Sequence, residues 1–426
     1  WSGMTVFDAV VHAMTTLSTG GMGNSDSSFA EFSRSSQYIA TVFMLIGGLP
    51  SFTIADDPAA QKRPRRIYLD EFRPTSELKA LEHLVTRAKF PCVNVHTHPF
   101  KLSDAELDEM VAAMDAANIA VSVSLDGRAG PRFAEHLQRL NDRHPDRFVV
   151  FVRMDYIGAG DEDDPATWDV QRPDFGVRMA DRLTEAVRQG ASGLKLLKDL
   201  GLMIRDRDGK LIAPDDPRFD PVWQRAGELQ VPVLWHCADP VAFFRETSEK
   251  NERWEELYRH PEWSFHGKDF PSHQELIDAR LRVIARHPQT KFICAHMADI
   301  PEDLAQLSQQ LEEHANMFVE IAARVAELGR QPYTARKFFL KHPDRILFGT
   351  DGVPPLSELD PHWRFLETWD EYFPYEDNPF PPQGLWTIYG IGLPDDVLQK
   401  VYYENAARLI PGVKRCLDQY LPQPKS

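Results

Sequence analysis

Residues 91–99 read Pro91-Cys92-Val93-Asn94-Val95-His96-Thr97-His98-Pro99, and the fold is decided there. Cys92–Thr97 is short and rich in Val, as a buried strand is, and it runs into two imidazoles, His96 and His98. Their spacing predicts that both leave one strand on the same side. Outward along the chain, similar apolar runs return at 119–125, 147–154, 193–198, 231–236, 291–296, 317–322 and 345–350. Helix-period segments separate them. DAELDEMVAAMDAA (104–117) is opened by Ser103 with Glu106 in the position of a capping box. PRFAEHLQRLNDR, FGVRMADRLTEAVRQGA, HQELIDARLRVIARHP, PEDLAQLSQQLEEHA and ELGRQPYTARKFFLKHP have the same character. Strands alternating with helices imply parallel pairing, because parallel neighbours need long crossovers. Continuous apolar strands imply burial on both faces. The pattern predicts an α/β fold, a (β/α)8 TIM barrel with an N-terminal arm and a long insertion after the fifth strand. A doubly wound sheet is the alternative, but no GxGxxG follows the first strand, where a pyrophosphate would need it.

Most of these runs end in one strong polar residue. The first ends at His96-Thr97-His98, the fourth carries Lys195, the fifth and sixth end at His236 and His296, and Asp351 follows the eighth. A closed barrel gathers the carboxyl ends of all its strands on one face, so these side chains are expected to converge. Imidazoles with a carboxylate suit a borderline divalent cation, zinc first, with manganese or iron as alternatives. The remaining histidines (His136, His144, His260, His266, His273, His287, His314, His342 and His362) are read as hydrogen-bonded or surface residues. Cys92, Cys237, Cys294 and Cys416 show no paired spacing and are expected to be free thiols.

VNVHTHP, GLKLLK, VLWHC, FICAHM, ILFGTDG and YYENAARLI, in that order, resemble the amidohydrolase superfamily in its amidohydrolase-related (family 2) branch, across roughly residues 67–412. The resemblance implies a metal held by His96, His98, His236 and Asp351. It makes His296 a catalytic residue or a ligand to a second ion. Lys195 stands where two-metal members carry a bridging lysine, which gives it a second-metal or substrate role. Asn94 departs from the family's usual Asp, and Gly352-Val353-Pro354-Pro355 gives the last loop its own sequence. The implied activity is hydrolysis of an amide or lactone C–N or C–O bond, with Asp351 moving the water proton and His296 assisting. The alternative is non-oxidative decarboxylation of an aromatic or unsaturated acid, with Arg153 and Arg324 holding a carboxylate. For either arginine a structural salt bridge is the competing explanation. Residues 237–272, long for a βα loop and rich in aromatics, are expected to wall the pocket.

A net charge of −16, from 48 basic and 64 acidic side chains in 426 residues, argues against a general nucleic-acid partner. The expected partner is a small molecule, in one reading carboxylate-bearing; self-association as a homo-oligomer stays open. Residues 1–52 are of another kind. Thr15-Thr16-Leu17-Ser18-Thr19-Gly20-Gly21 between helix-like runs, followed by Leu45-Ile46-Gly47-Gly48-Leu49-Pro50, resembles a pore repeat of TrkH-type potassium transporters. One repeat cannot close a pore, and the 15-residue run Tyr38–Phe52 is short of the roughly 20 needed to span a bilayer. The segment is read as a non-functional fragment, joined near residues 51–54, against the alternative of an ordinary hydrophobic anchor. A non-enzymatic module linked to ion transport is the remaining function class. The boundaries expected are 1–52 for this fragment, 53–90 for an arm carrying the basic cluster Lys62–Arg66, 91–412 for the barrel and 413–426 for a tail. The barrel reads as soluble, with the cytoplasm favoured over other compartments and the N-terminal segment membrane-like but incomplete, and a chain opening on Trp1 offers no leader from which to judge further.

Overall fold

The computed structural model describes residues 74–267, 269–352, 356–376 and 383–421, with residues 34, 41, 65–68, 71 and 72 upstream. The transporter-like fragment apart from residues 34 and 41, its joint and residues 62–64 of the basic cluster fall outside the described residues. The chain divides into two compact units, residues 1–78 and 79–426, and the barrel belongs to the second. Among the described residues no helix is long and apolar enough to cross a membrane.

Eight strands form one parallel sheet in chain order: β1 (Cys92–Thr97), β2 (Ile119–Gly127), β3 (Phe148–Arg153), β4 (Gly193–Leu196), β5 (Val233–Trp235), β6 (Phe292–Cys294), β7 (Met317–Glu320) and β8 (Ile346–Leu347). Two backbone hydrogen bonds, Val95 N to Phe348 O and Asp351 N to His96 O, both 3.0 Å, tie the continuation of β8 back to β1. The sheet thereby becomes the expected (β/α)8 barrel. Around it run α1 (Asp104–Ala117), α2 (Pro131–Arg143), α3 (Phe175–Arg188), α4 (Asp220–Glu228), α5 (Trp254–Arg259), α6 (His273–Arg286), α7 (Leu304–Glu313), α8 (Val325–Gly329), α9 (Pro332–Lys341) and α10 (Leu356–Glu367). The Ser103–Glu106 capping box opens α1 as expected.

Two elements differ from the sequence reading. The segment 327–343 is divided between two helices, because Pro332 lacks the N–H that would continue α8 and instead sits in the first turn of α9. Helix α4 has no counterpart in that reading; it is short, and only Val222, Trp223 and Ala226 are buried from it. Packing on the barrel, more than periodicity, holds so brief a helix.

The core has two layers. Val93, Val95, Val121, Val123, Phe151, Leu234, Ile293, Phe318 and Leu347 fill the barrel, while strand neighbours such as Val150, Leu196, Trp235 and Val319 pack outward under the helices. The inner layer continues through α11 (Asn405–Leu409) and α12 (Val413–Leu417), whose Leu409, Val413, Cys416 and Leu417 join it. The segment read as a tail thus begins as part of the core. All four cysteines are free and buried.

Candidate metal centre

The side chains at the centre are aimed by irregularities where the strands end. In β1 the pairing with β2 shifts between Asn94 and Thr97. Val95 lies in the inner core, while Thr97 turns outward to the Ser122 hydroxyl (3.0 Å). One residue has slipped, and His96 faces inward beside Val95. His98 lies just past the strand, in non-extended backbone (φ −127°, ψ 68°). The two imidazoles do meet, with ring centroids 5.3 Å apart, but strand alternation is not the reason. A second shift, between Ser124 and Gly127 of β2, accompanies the turn of Asp126 toward His98.

Each ring is held from behind. His96 Nδ1 lies 2.9 Å from Glu320 Oε1, His98 Nδ1 lies 2.9 Å from Asp126 Oδ1, and His296 Nδ1 donates to Ala322 O at 2.9 Å. Carboxylate and carbonyl oxygens only accept here, so each ring carries a proton on Nδ1 and presents Nε2 to the centre. All three converge on Asp351: 3.1 Å from His96 Nε2 and 3.6 Å from His98 Nε2 to Oδ1, and 3.8 Å from His296 Nε2 to Oδ2. Glu320, fully buried, also accepts the backbone N–H groups of His296 and Ala322. Gly349 makes room for it, since a Cβ there would stand 2.8 Å from Glu320 Oε2 and 3.1 Å from His96 Cβ. Lys195 comes from β4 with its Nζ 3.2 Å from His96 Nε2.

Burial raises Asp351, but charge on His96 and His296 with hydrogen bonds from His96 and His98 holds it well below the carboxylate range. Burial pulls Lys195 down to about 8, against Asp351 and Glu320. Burial, with charge on His236, pushes His296 well below the ordinary imidazole value. For His98 the lowering by burial is outweighed by hydrogen bonds to Asp126 and Asp351, and its pKa rises.

Of the four expected ligands, His96, His98 and Asp351 bring donor atoms within 4.8 Å of one another, and so do His96, His296 and Glu320. His236 stands one ring further on, its centroid 4.3 Å from that of His296. Its Nε2 is buried without a hydrogen-bond partner among the described residues, 3.7 Å from Asp239 Oδ1 and 3.9 Å from Asp299 Oδ1. His96, His98 and Asp351 make a donor set that fits a divalent ion, while His236, outside both groups, leaves an orphaned nitrogen one ring away. Asn94, where the family usually has Asp, bridges the backbone N–H of His96 and the Thr350 hydroxyl.

The two arginines differ. Arg153 is committed to Leu125 O and pairs with Asp126, the carboxylate behind His98. Arg324, 5% exposed, donates to Ala323 O, leaves Nε without a partner, and makes no ion pair among the described residues. Sequence reasoning missed Glu320, Asp126, Asp239 and Asp299. Glu320 was legible in principle as the charge ending β7, and Asp126 as the charge ending β2. Among the remaining histidines, His136, His273 and His342 are buried with hydrogen-bond partners, so they do not lie on the surface. In segment 237–272, Phe243 and Phe265 enter the core while Trp254 and Trp263 remain on the surface; Asp239 reaches the centre.

The sequence model of the amidohydrolase family matches residues 155–412, more than half of the chain. Similar solved structures include a 2,6-dihydroxybenzoate decarboxylase from Rhizobium, at 18% identity over 75% of this chain and 98% of that one, with a TM-score of 0.48. Another is a probable 2-pyrone-4,6-dicarboxylic acid hydrolase from Acinetobacter baumannii, at 12% identity over 75% and 99%, with a TM-score of 0.40. At these values neither bears on substrate. Among curated proteins, a Trk system potassium uptake protein of Halomonas elongata is 52% identical over 50 residues, 11% of this chain and 10% of that transporter. So short a share of a transporter assigns no transport.

Proposed function

The chain belongs to the amidohydrolase family, and on that premise we propose a hydrolase that opens an amide or lactone bond in a small carboxylate-bearing molecule. In this reading His96, His98, His236 and Asp351 hold one divalent ion, zinc suiting the nitrogen-rich set and manganese or iron also compatible. When bound, such an ion would supply Lewis acidity toward a scissile carbonyl and toward water. The observation that carries the proposal is that three imidazoles, each held at Nδ1, turn their Nε2 atoms onto one ionised carboxylate, Asp351. The Nδ1 protons of His96, His98 and His296 are engaged elsewhere, and Asp351 is held ionised. Asp351 takes the proton of water and delivers it to the leaving atom. His296 offers Nε2 as a second acceptor; serving instead as a donor to the oxyanion would require a protonated ring, which burial opposes. Lys195 is the cation left to meet negative charge developing on the substrate oxygen. Arg324, buried and without an ion pair among the described residues, binds the substrate carboxylate.

Decarboxylation of an aromatic or unsaturated acid is the second reading, and one observation favours it. Lys195, brought to about 8, is a proton donor near neutral pH, as protonation at carbon requires. A panel of lactones, amides and aromatic acids, followed by acid release and by headspace carbon dioxide, separates the two. Turnover of a lactone or amide that is lost to a chelator and restored by zinc is expected. Carbon dioxide release without any hydrolytic turnover would sink the hydrolase.

A further inference from the structure

Beside the metal centre, between the ends of β2 and β3, lies a cleft of about 450 Å³ whose lining includes Arg128, Arg132, Arg153, Met154, Asp155 and Glu162. We propose that it is a second anion subsite of the substrate pocket, in which Arg128 and Arg132 receive a carboxylate remote from the bond that reacts. The substrate is then at least a dianion. The inference rests on the proposed function only in placing the reacting group at Asp351.

The charges in the cleft do not cancel. Arg153 is paired with Asp126, and Asp155 lies 3.5 Å from Arg182. Glu162 opposes two guanidinium groups, Arg128 and Arg132, which have no ion pair among the described residues. The contrast is sharp within one helix: Arg139 and Arg143, further along α2, reach Asp104 and Asp108. Arg132 sits in the first turn of α2, which carries no acidic residue, where a cation opposes the helix dipole. A cation there gains nothing from the helix dipole, and an anion between the two arginines would offset the charge of both.

The cleft also leads to the centre. The Arg128 guanidinium lies 6.0 Å from the centroid of the Phe100 ring. The Phe100 N–H donates to Asp126 (3.1 Å), whose other oxygen takes His98 Nδ1. Arg153 lines the cleft and touches His98 Nδ1 at 3.3 Å. Asp199 is raised by burial against the pull of Arg153, His236, Lys195 and Arg128, so one carboxyl senses the centre and the cleft together.

The test is calorimetric binding of benzoate, isophthalate and biphenyl-3,3′-dicarboxylate to the zinc-loaded full chain at about 0.15 M salt, where long-range attraction is screened. At least one dianion is expected to bind roughly tenfold tighter than benzoate, the worth of one charge-assisted contact. The double variant Arg128→Gln/Arg132→Gln changes only exposed positions, and an unchanged melting temperature checks its fold. It should lose the preference and keep its benzoate affinity. Equal affinities in the wild type, or a preference surviving in the variant, overturns the subsite. Benzoate binding indifferent to Arg324→Gln overturns the carboxylate contact of the proposed function instead, while the ratio of dianion to benzoate still reads the cleft.

Discussion

His96 is oriented by a carboxylate that it does not share with solvent. Glu320 holds Nδ1, so the ring can turn neither its tautomer nor its plane. Glu320→Gln keeps the shape but removes the charge that favours this tautomer. Metal retention against a chelator should fall by roughly 10- to 100-fold, the usual effect of such a partner, and retention equal to wild type would refute the role. Asp351 and His296 are separable in the same way. Asp351→Asn should collapse turnover even where metal remains. His296→Asn should leave metal content near normal and lower kcat by roughly 10²–10⁴-fold, the range of a positioned acid or base. A metal-free His296→Asn protein would move that histidine among the ligands.

Among the elements, the turn after β6 is the least expected. His296, Met297, Ala298 and Asp299 all have φ between 55° and 59°, a left-handed run of side-chain-bearing residues that costs roughly 1–2 kcal/mol each. Arg280 of α6 offsets it, donating to Asp299 Oδ2 (2.6 Å) and Ala298 O (2.7 Å), and His273 reaches Asp299 O (2.8 Å). Arg280→Met leaves the buried Asp299 carboxylate without its cation and should cost about 3–5 kcal/mol in denaturant unfolding. If Arg280 also positions His296, kcat should fall more than KM changes, with partial rescue by Arg280→Lys. Stability loss with kinetics intact would make it structural only. A second element-scale clamp joins the arm to the segment after α10: Asp370 accepts from His83 N (2.7 Å) and Arg364 Nε (2.6 Å). Burial raises Asp370, but hydrogen bonds from His83 and Arg364 lower it more, so its folded pKa is depressed. Its stabilisation is therefore present above the unfolded value, near 4, and is lost as pH falls through the folded one. Asp370→Asn should lower stability by roughly 2 kcal/mol at pH 7, with the gap closing on acidification. A gap independent of pH would show that the carboxylate's charge is not what holds the arm.

For the whole molecule, every residue of the metal centre and both layers of the core lie within 79–426. A chain beginning at residue 79 should fold, bind metal and melt within a few degrees of the full chain. Failure to fold would assign a structural duty to residues 1–78.

Eight strands were legible because each is an apolar run long enough to announce burial on both faces, and parallel order follows from the intervening helices. The positions of His96, His98, His236, His296 and Asp351 at strand ends were legible for the same reason, since a barrel gathers those ends on one face. Their aim was not. Slips in β1 and β2, the left-handed turn at 296–299, and the closing bonds of Val95 and Asp351 depend on partners far along the chain. Glu320 could be seen as a charge in a strand, but not as the partner of His96, 224 residues away. The ion pair that occupies Arg153 and the lack of one for Arg324 among the described residues are likewise properties of neighbours in space. Local sequence determined which segments are buried; only the closed barrel decided which buried polar atoms face one another and which are left to a ligand.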